Sequence, residues 1–563
     1  MRWRYLCILI FFSFAFFSIV SRLFYWQVVK AADLSKMAHA QYGDVIDLPA
    51  QRGEIRTSDN FPIATTRLSY LIFANPHEIK QINTTTAILS SLLHIDTASV
   101  SGALDENKNR YWISLFPNAT VEQKTKIEGE NLPGIGFEES YARFYPEASM
   151  AAQLLGFVGK DDLGQSKGYF GLEGFYDRQL RGRSGKATEI HDALGRPVLS
   201  RIDGDSGQQD GRSLVLTINR SIQFLVEQKL QDGIEKYGAQ SGMVIIMDPK
   251  TGGIIAMASF PSFDPRAYGE FDGELYKNPA ITDTYEPGST FKPLIMSSAL
   301  DANVVQPETK CPQCSGPVKV ADYELHTWND KYFPNTTMKD VIKNSDNTGM
   351  VYVSQTLGKD KMLSYLKKFG IGDATGIDLQ GEEAVPLMPN DKWSPIDLAT
   401  ASFGQGISVT PIELLDAFSA IANNGIRMQP HVVSQIITPD GTTIPIDTVQ
   451  VDQPISSKVA KVMTEILVYT VNKGEANFAR LKGYRIAGKT GTASIPVAGH
   501  YDPTQTIASF IGYAPADDPK FAMLVIMNRP TSSIYGAETA APVFFDIAKD
   551  LLTYYGISPT AGE

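Results

Sequence analysis

Apolar residues run almost unbroken from Tyr5 to Val20, YLCILIFFSFAFFSIV, and resume after Arg22 from Leu23 to Trp26. About 20 residues carry a helix across a hydrocarbon core. Residues 5–26 therefore predict a transmembrane anchor, with Arg22 reaching the far interface and Tyr25 and Trp26 lying there. Arg2 and Arg4, in a tail of residues 1–4, favour a cytoplasmic N-terminus and place the rest outside. A cleaved signal peptide is the rival, but Ala38-His39-Ala40 lies too far beyond the apolar run to serve as its cleavage pattern.

Past a connector at 27–40 the periodicities shorten. Residues 41–212 read as a mixed region of short strand-like runs. It is closed by IDGDSGQQDGRS, 202–213, which has the composition of a turn or linker. LVLTIN, 214–219, is strand-like, and SIQFLVEQKLQDGIEKYG sets Ile222, Leu225, Val226 and Leu230 at helical spacing. Residues 241–260 predict two strands around a turn at Pro249 and Gly252-Gly253. FAMLVIM, 521–527, predicts a strand, and AAPVFFDIAKDLLTYYG, 540–556, a last helix stopped by Gly556. The expected class is α+β: one membrane helix and two extracytoplasmic domains, 41–212 and 213–563, without tandem repeats.

Composition excludes some functions. With 563 residues, 43% hydrophobic and 20% charged, the chain is ordinary globular material for several domains. Lys and Arg total 51 against 62 Asp and Glu, a net charge of −11, which argues against a nucleic-acid partner held by general electrostatics. Three cysteines are too few for a disulfide scaffold. The seven histidines form no H-x-x-x-H pattern, and no metal or cofactor is expected.

Three short patterns carry chemistry. S-x-x-K occurs at Ser289-Lys292 and Ser364-Lys367, S-x-N at Ser58-Asn60 and Ser345-Asn347, and K-T-G at Lys250-Gly252 and Lys489-Gly491. Only Ser289, Ser345 and Lys489 follow one another in the order S-x-x-K, S-x-N, K-T-G. Pro287-Gly288 precedes Ser289 and TFKPLIMSSAL follows, so the serine is expected at a helix N-terminus with Lys292 on the same face. Ser364 and Lys367 read instead as an exposed face of the helix KMLSYLKKFG.

With these residues in place, the chain resembles a class B penicillin-binding protein, a monofunctional peptidoglycan D,D-transpeptidase. NPAITDTYEPGSTFK (278–292), FGQG (403–406), KTGTA (489–493) and FIGYAPADDPKFAMLVIM (510–527) are similar to the family's catalytic domain. QRGEIRTSDNFPIA (51–64, with Phe61 for the usual glycine), RFYP (143–146) and GLEGFYDRQLRG (171–182) resemble its non-catalytic pedestal. The resemblance implies an antiparallel sheet with helices of the serine β-lactamase-like type and no separate glycosyltransferase domain.

A serine hydroxyl needs activation to act as a nucleophile. Lys292 can be the base if its amine is neutral, which burial and a second cation, Lys489, would both promote. Ser345 can relay a proton between a lysine and the leaving amine, and Asn347 can bond the substrate's peptide amide. Lys489, Thr490, Gly491 and Thr492 suit the terminal carboxylate of a D-Ala-D-Ala stem peptide. The resemblance adds an oxyanion hole from the backbone N–H groups of Ser289 and Thr492. Each residue has a plainer reading: Ser289 as a helix cap, Lys489 as a solvated strand-end lysine, Asn347 as a turn residue. Glu286 is expected to be structural.

Cys311 and Cys314 are the exterior cysteines; a disulfide, a zinc pair and free thiols compete for them, and an oxidising exterior favours the disulfide. The S-D-N triplet 345–347 and the segment 535–557 resemble the division type, implying recruitment through residues 1–212 beside a glycosyltransferase and other division membrane proteins. Stem peptides and β-lactams are the expected ligands. The alternatives are an elongation-type transpeptidase, a membrane-tethered serine β-lactamase and a non-catalytic scaffold. No E-x-x-x-N follows the S-x-N motif as in class A lactamases.

Overall fold

In a computed structural model, residues 2–162, 164–191, 197–201, 207–497 and 500–560 are described. Residues 202–206 of the expected linker, Met1 of the tail and the end of the chain lie outside these. A helix, Arg2–Phe24, runs on through a π-helical turn, Tyr25–Val29, with no residue buried in protein. Among the described residues, Arg2–Val29 is the one helix long and apolar enough to cross a membrane. The connector is itself helical over Ala31–Tyr42.

The chain divides into two compact units. The first comprises Met1–Gln51, Ser69–Tyr141 and Gly182–Gly211; the second comprises Arg52–Leu68, Ala142–Arg181 and Arg212–Glu563. In the first, the helices Ile82–Leu93, Thr97–Glu106 and Val121–Gly129 share a core of Ile72, Leu89, Leu93, Leu104 and Ile127. A three-stranded antiparallel sheet pairs Gly43–Leu48 with Gly185–His191 and that strand with Pro197–Arg201.

The second unit is built on a five-stranded antiparallel sheet. Its elements in chain order are α1 (Arg220–Tyr237), β1 (Ser241–Met247), β2 (Ile254–Phe260), α2 (Lys292–Asp301), α3 (Asn347–Leu357), α4 (Pro411–Ala422), α5 (Ser457–Lys473), β3 (Ala487–Val497), β4 (His500–Ala514), β5 (Phe521–Asn528) and α6 (Ala540–Tyr554). The strand order is β2-β1-β5-β4-β3. Strand residues alternate between faces. Val244, Ile246, Met523 and Val525 pack under α1 and α6, and Ile245, Met247, Leu524 and Ile526 join a core with α2, α3, α4 and α5. Both faces are covered, which explains why MVIIM and FAMLVIM are apolar runs rather than alternating ones.

Two helices lie deep in this unit. Every residue of α4 is buried, as is α2 from Lys292 to Leu300. A helix apolar all round belongs in a core, and α2 carries Lys292 into it. Ser364 and Lys367 are exposed on the helix Lys359–Lys368, away from any site, and Lys250 lies in the turn between β1 and β2. Cys311 and Cys314 are joined as a disulfide with their Cα atoms 5.6 Å apart, both buried between α2 and α3.

The three pedestal-like motifs meet in the second unit. Glu173 accepts from Arg52 Nε at 2.7 Å and from Arg143 Nε at 2.6 Å, and Asp177 accepts from Arg52 Nη1 at 2.8 Å. The Glu173 side chain is fully buried. Burial pushes its carboxyl up, but Arg143 and Arg52 outweigh this and hold it below the usual carboxylate range. The stability this supplies is present above the unfolded-state pKa and is lost as pH falls through the lowered folded value. Glu173→Ala would leave Arg143 without a carboxylate and Arg52 with Asp177 alone, and should destabilise the fold by about 3–5 kcal/mol, measured by denaturant unfolding. A loss below about 1 kcal/mol would show that solvent replaces the carboxylate.

Candidate active site

Ser289 sits in a 3₁₀ turn, Gly288–Thr290, directly before α2. Pro293 is in the first turn of α2, where a missing N–H costs nothing. The turn is held from two sides. Gly288 N–H donates to Gly404 O at 3.0 Å, and a Cβ on Gly404 would stand 2.2 Å from Gly288 O. A Cβ on Gly491 of β3 would stand 2.3 Å from Ser509 Oγ and 2.8 Å from Thr290 Cγ2. Gly404 of FGQG and Gly491 of K-T-G are thus required by close approach to the turn.

Ser345 closes the short helix Met338–Lys343. Its N–H donates to Ile342 O, and the next N–H, of Asp346, reaches back to Val341 O. This is a Schellman-type stop, in which glycine is the usual residue. Ser345 adopts φ +57° there, in the left-handed region. The strained backbone turns its hydroxyl onto Ser289, with Oγ to Oγ at 2.8 Å. Asp346 then caps α3, accepting from Gly349 N–H, so Asn347 is the first residue of that helix.

Lys292 is wholly buried, and its Nζ donates to Ser345 O at 2.6 Å, Ser345 Oγ at 3.3 Å and Asn347 Oδ1 at 2.8 Å. Burial first, and then the neighbouring Lys489, hold this amine well below the ordinary lysine range, against the opposing pull of Asp346 and Glu475. Ser345 Oγ thus stands between Ser289 Oγ and the Lys292 amine. Asn347 spends its carbonyl on Lys292 and its Nδ2 on His326 O at 3.0 Å.

Lys489 points from β3 into the interior, 1% exposed, and donates to Thr490 O at 3.1 Å and Thr490 Oγ1 at 3.0 Å. Burial lowers its pKa and Glu475 pulls the other way. Thr492 Oγ1 accepts from Gly536 N–H at 3.1 Å. A cleft of about 470 Å³ exposes Ser289, Ser345, Asn347, Thr490 and Thr492 together. Glu286 accepts from Gly406 N–H at 3.0 Å and stands behind the turn.

The cleft also contains residues no motif pointed to. His326 and Trp328 come from the loop before the S-x-N helices, Glu475 from the chain after α5, and Tyr535 from the segment after β5. Trp328 and Tyr535 meet edge to face, 5.6 Å between ring centres. The FGQG motif signalled Phe403 and Gln405; Glu475 has no local signature, since only folding brings it beside β3.

A serine linked through a second hydroxyl to a buried amine of depressed pKa is the arrangement of a serine acyl-transfer enzyme. The family described as the penicillin binding protein transpeptidase domain matches residues 242–549, and the penicillin-binding protein dimerisation domain matches 47–216. Stage V sporulation protein D of Bacillus subtilis is 33% identical over 567 residues, covering 100% of this chain and 87% of the relative. Peptidoglycan D,D-transpeptidase FtsI of Escherichia coli is 30% identical, covering 99% of this chain and 93% of the relative. Penicillin binding protein 3 from Mycobacterium tuberculosis, solved with aztreonam, superposes with a TM-score of 0.71 at 26% identity, covering 92% of this chain and 98% of that one. The chain belongs to the class B penicillin-binding proteins.

The tightness at Gly491 yields a test. Gly491→Ala should separate β3 from the nucleophile turn and lower the rate of acylation by benzylpenicillin on the order of 100-fold, as small misplacements of reacting groups do. A rate within about twofold of wild type would show that the strand can back away at no cost.

Proposed function

We propose that this protein is a peptidoglycan D,D-transpeptidase acylated at Ser289, serving septal cell-wall synthesis. The Ser289–Ser345–Lys292 chain of polar contacts carries the reading. With the Lys292 amine neutral, the Ser289 proton passes to Ser345 Oγ while the Ser345 proton passes to Lys292. Ser289 Oγ attacks the carbonyl of the penultimate D-Ala of a stem peptide. The backbone N–H groups of Ser289 and Thr492 are the donors for the developing oxyanion, the kind of electrostatic support on which such catalysis rests. Lys292 returns its proton through Ser345 to the departing D-Ala amine. The ester is then opened by an amine of a neighbouring stem peptide, which forms the cross-link. A β-lactam enters by the same attack on its strained amide.

Relatives named for D,D-transpeptidase activity support this reading. Residues 5–26 anchor the chain in the bacterial cytoplasmic membrane with the N-terminus inside and the catalytic domain outside. Residues 27–40 link the anchor to a pedestal of 41–212, and 213–563 form the transpeptidase. Because the transpeptidase cleft is occupied by substrate, recruitment by a polymerising glycosyltransferase and division membrane proteins falls to 1–212.

Intact-mass analysis with benzylpenicillin should show one added drug mass, lost in Ser289→Ala and kept in Ser364→Ala. An adduct at Ser364 would sink the assignment. The base must be neutral, and its folded pKa lies well below the ordinary value. Acylation should therefore be high above that lowered pKa and fall as pH drops through it. A flat acid limb with the fold intact would remove Lys292 as the base. In cells, depletion should give filaments in a rod-shaped host. Rounding or widening with normal septation would favour the elongation type, and normal growth with defective spores the role named for the Bacillus subtilis relative.

A further inference from the structure

Glu475 lies in the chain that leaves α5 at Gly474, is exposed, and lines the same cleft as Ser289. Its Oε2 accepts from Thr490 Oγ1 at 3.1 Å, and that same hydroxyl oxygen accepts from Lys489 Nζ at 3.0 Å. A threonine hydroxyl has one proton. Given to Glu475, it is not free for a ligand in the cleft. Thr492 is placed the opposite way: its oxygen accepts from Gly536 N–H, so its proton is free to be donated. The two threonines of the K-T-G-T run are therefore not equivalent.

We propose that Glu475 is a positioning residue for acyl transfer: through the Thr490 hydroxyl it anchors Lys489 as the cation that receives the substrate carboxylate, and it leaves Thr492 as the hydroxyl that bonds that carboxylate. This rests on the reading of Ser289 as nucleophile. The charged groups facing Lys292 are Lys489, Asp346 from the turn before α3, and Glu475, and the one facing Lys489 is Glu475; His326 lines the cleft. Glu475 acts on both amines in the direction that keeps them protonated. Removing its charge therefore lets both deprotonate at lower pH. Lys292 losing its proton switches the base on, and Lys489 losing its proton removes the carboxylate anchor, so both limbs of the profile move the same way.

The test uses the full chain in detergent micelles, with benzylpenicillin as the anionic probe and acylation rate followed against pH. Glu475→Gln should displace both limbs toward acid by about half a unit or more and lower the rate above neutrality. Glu475→Asp, which keeps the charge, should hold the limbs near their wild-type positions. A Glu475→Gln profile lowered evenly with both limbs unmoved would overturn the proposal, as would Asp and Gln variants that behave alike. Failure of the wild-type protein to form any adduct would instead overturn the reading of Ser289.

Discussion

Two lysine amines buried in protein beside one cleft set the terms for the catalytic unit. Lys292 is carried inside by a helix with no solvent-facing side, and Lys489 by a strand of the central sheet. Each amine is short of water, and each makes charge on the other less favourable. The surroundings answer with dipoles rather than a direct ion pair on Lys292: a main-chain carbonyl, a serine hydroxyl and an asparagine carbonyl are its bonded partners. That coordination suits the proton exchange proposed for this amine. A carboxylate in direct contact would lock the proton on.

The same unit treats charge differently where no chemistry occurs. Around Glu173 two arginines and a second carboxylate form a buried ion cluster, binding segments near positions 52, 143 and 173 into one knot. Ion pairs there fix structure, whereas neutral dipoles alone bond Lys292.

The sequence was most informative where geometry is local or motifs have an order. Chain order separated the S-x-x-K, S-x-N and K-T-G whose residues meet around one cleft from their duplicates. Strand runs and the terminal helix were visible from period and length. The roles of single atoms were not. Asn347, expected as a substrate ligand, also gives its carbonyl to Lys292, and Thr490, expected at the carboxylate, also gives its proton to Glu475. Such assignments depend on contacts across the sheet and between helices distant in sequence, where Glu475, His326 and Trp328 have no pattern to announce them. Nor could periodicity reveal that Arg52–Leu68 and Ala142–Arg181 cluster with the sheet-bearing unit.

The glycine contacts around the nucleophile turn bear on how this enzyme could evolve away from an inhibitor. Gly404 and Gly491 leave no volume for even one carbon beside the turn. Selection under drug therefore meets a floor that cannot be reshaped without displacing Ser289. Freedom lies at the rim, where Trp328 and Tyr535 are exposed and lean on each other. Substitutions there can change which bulky side groups pass while the floor stays as it is, so escape from a large inhibitor would follow the path of altered entry, not altered chemistry.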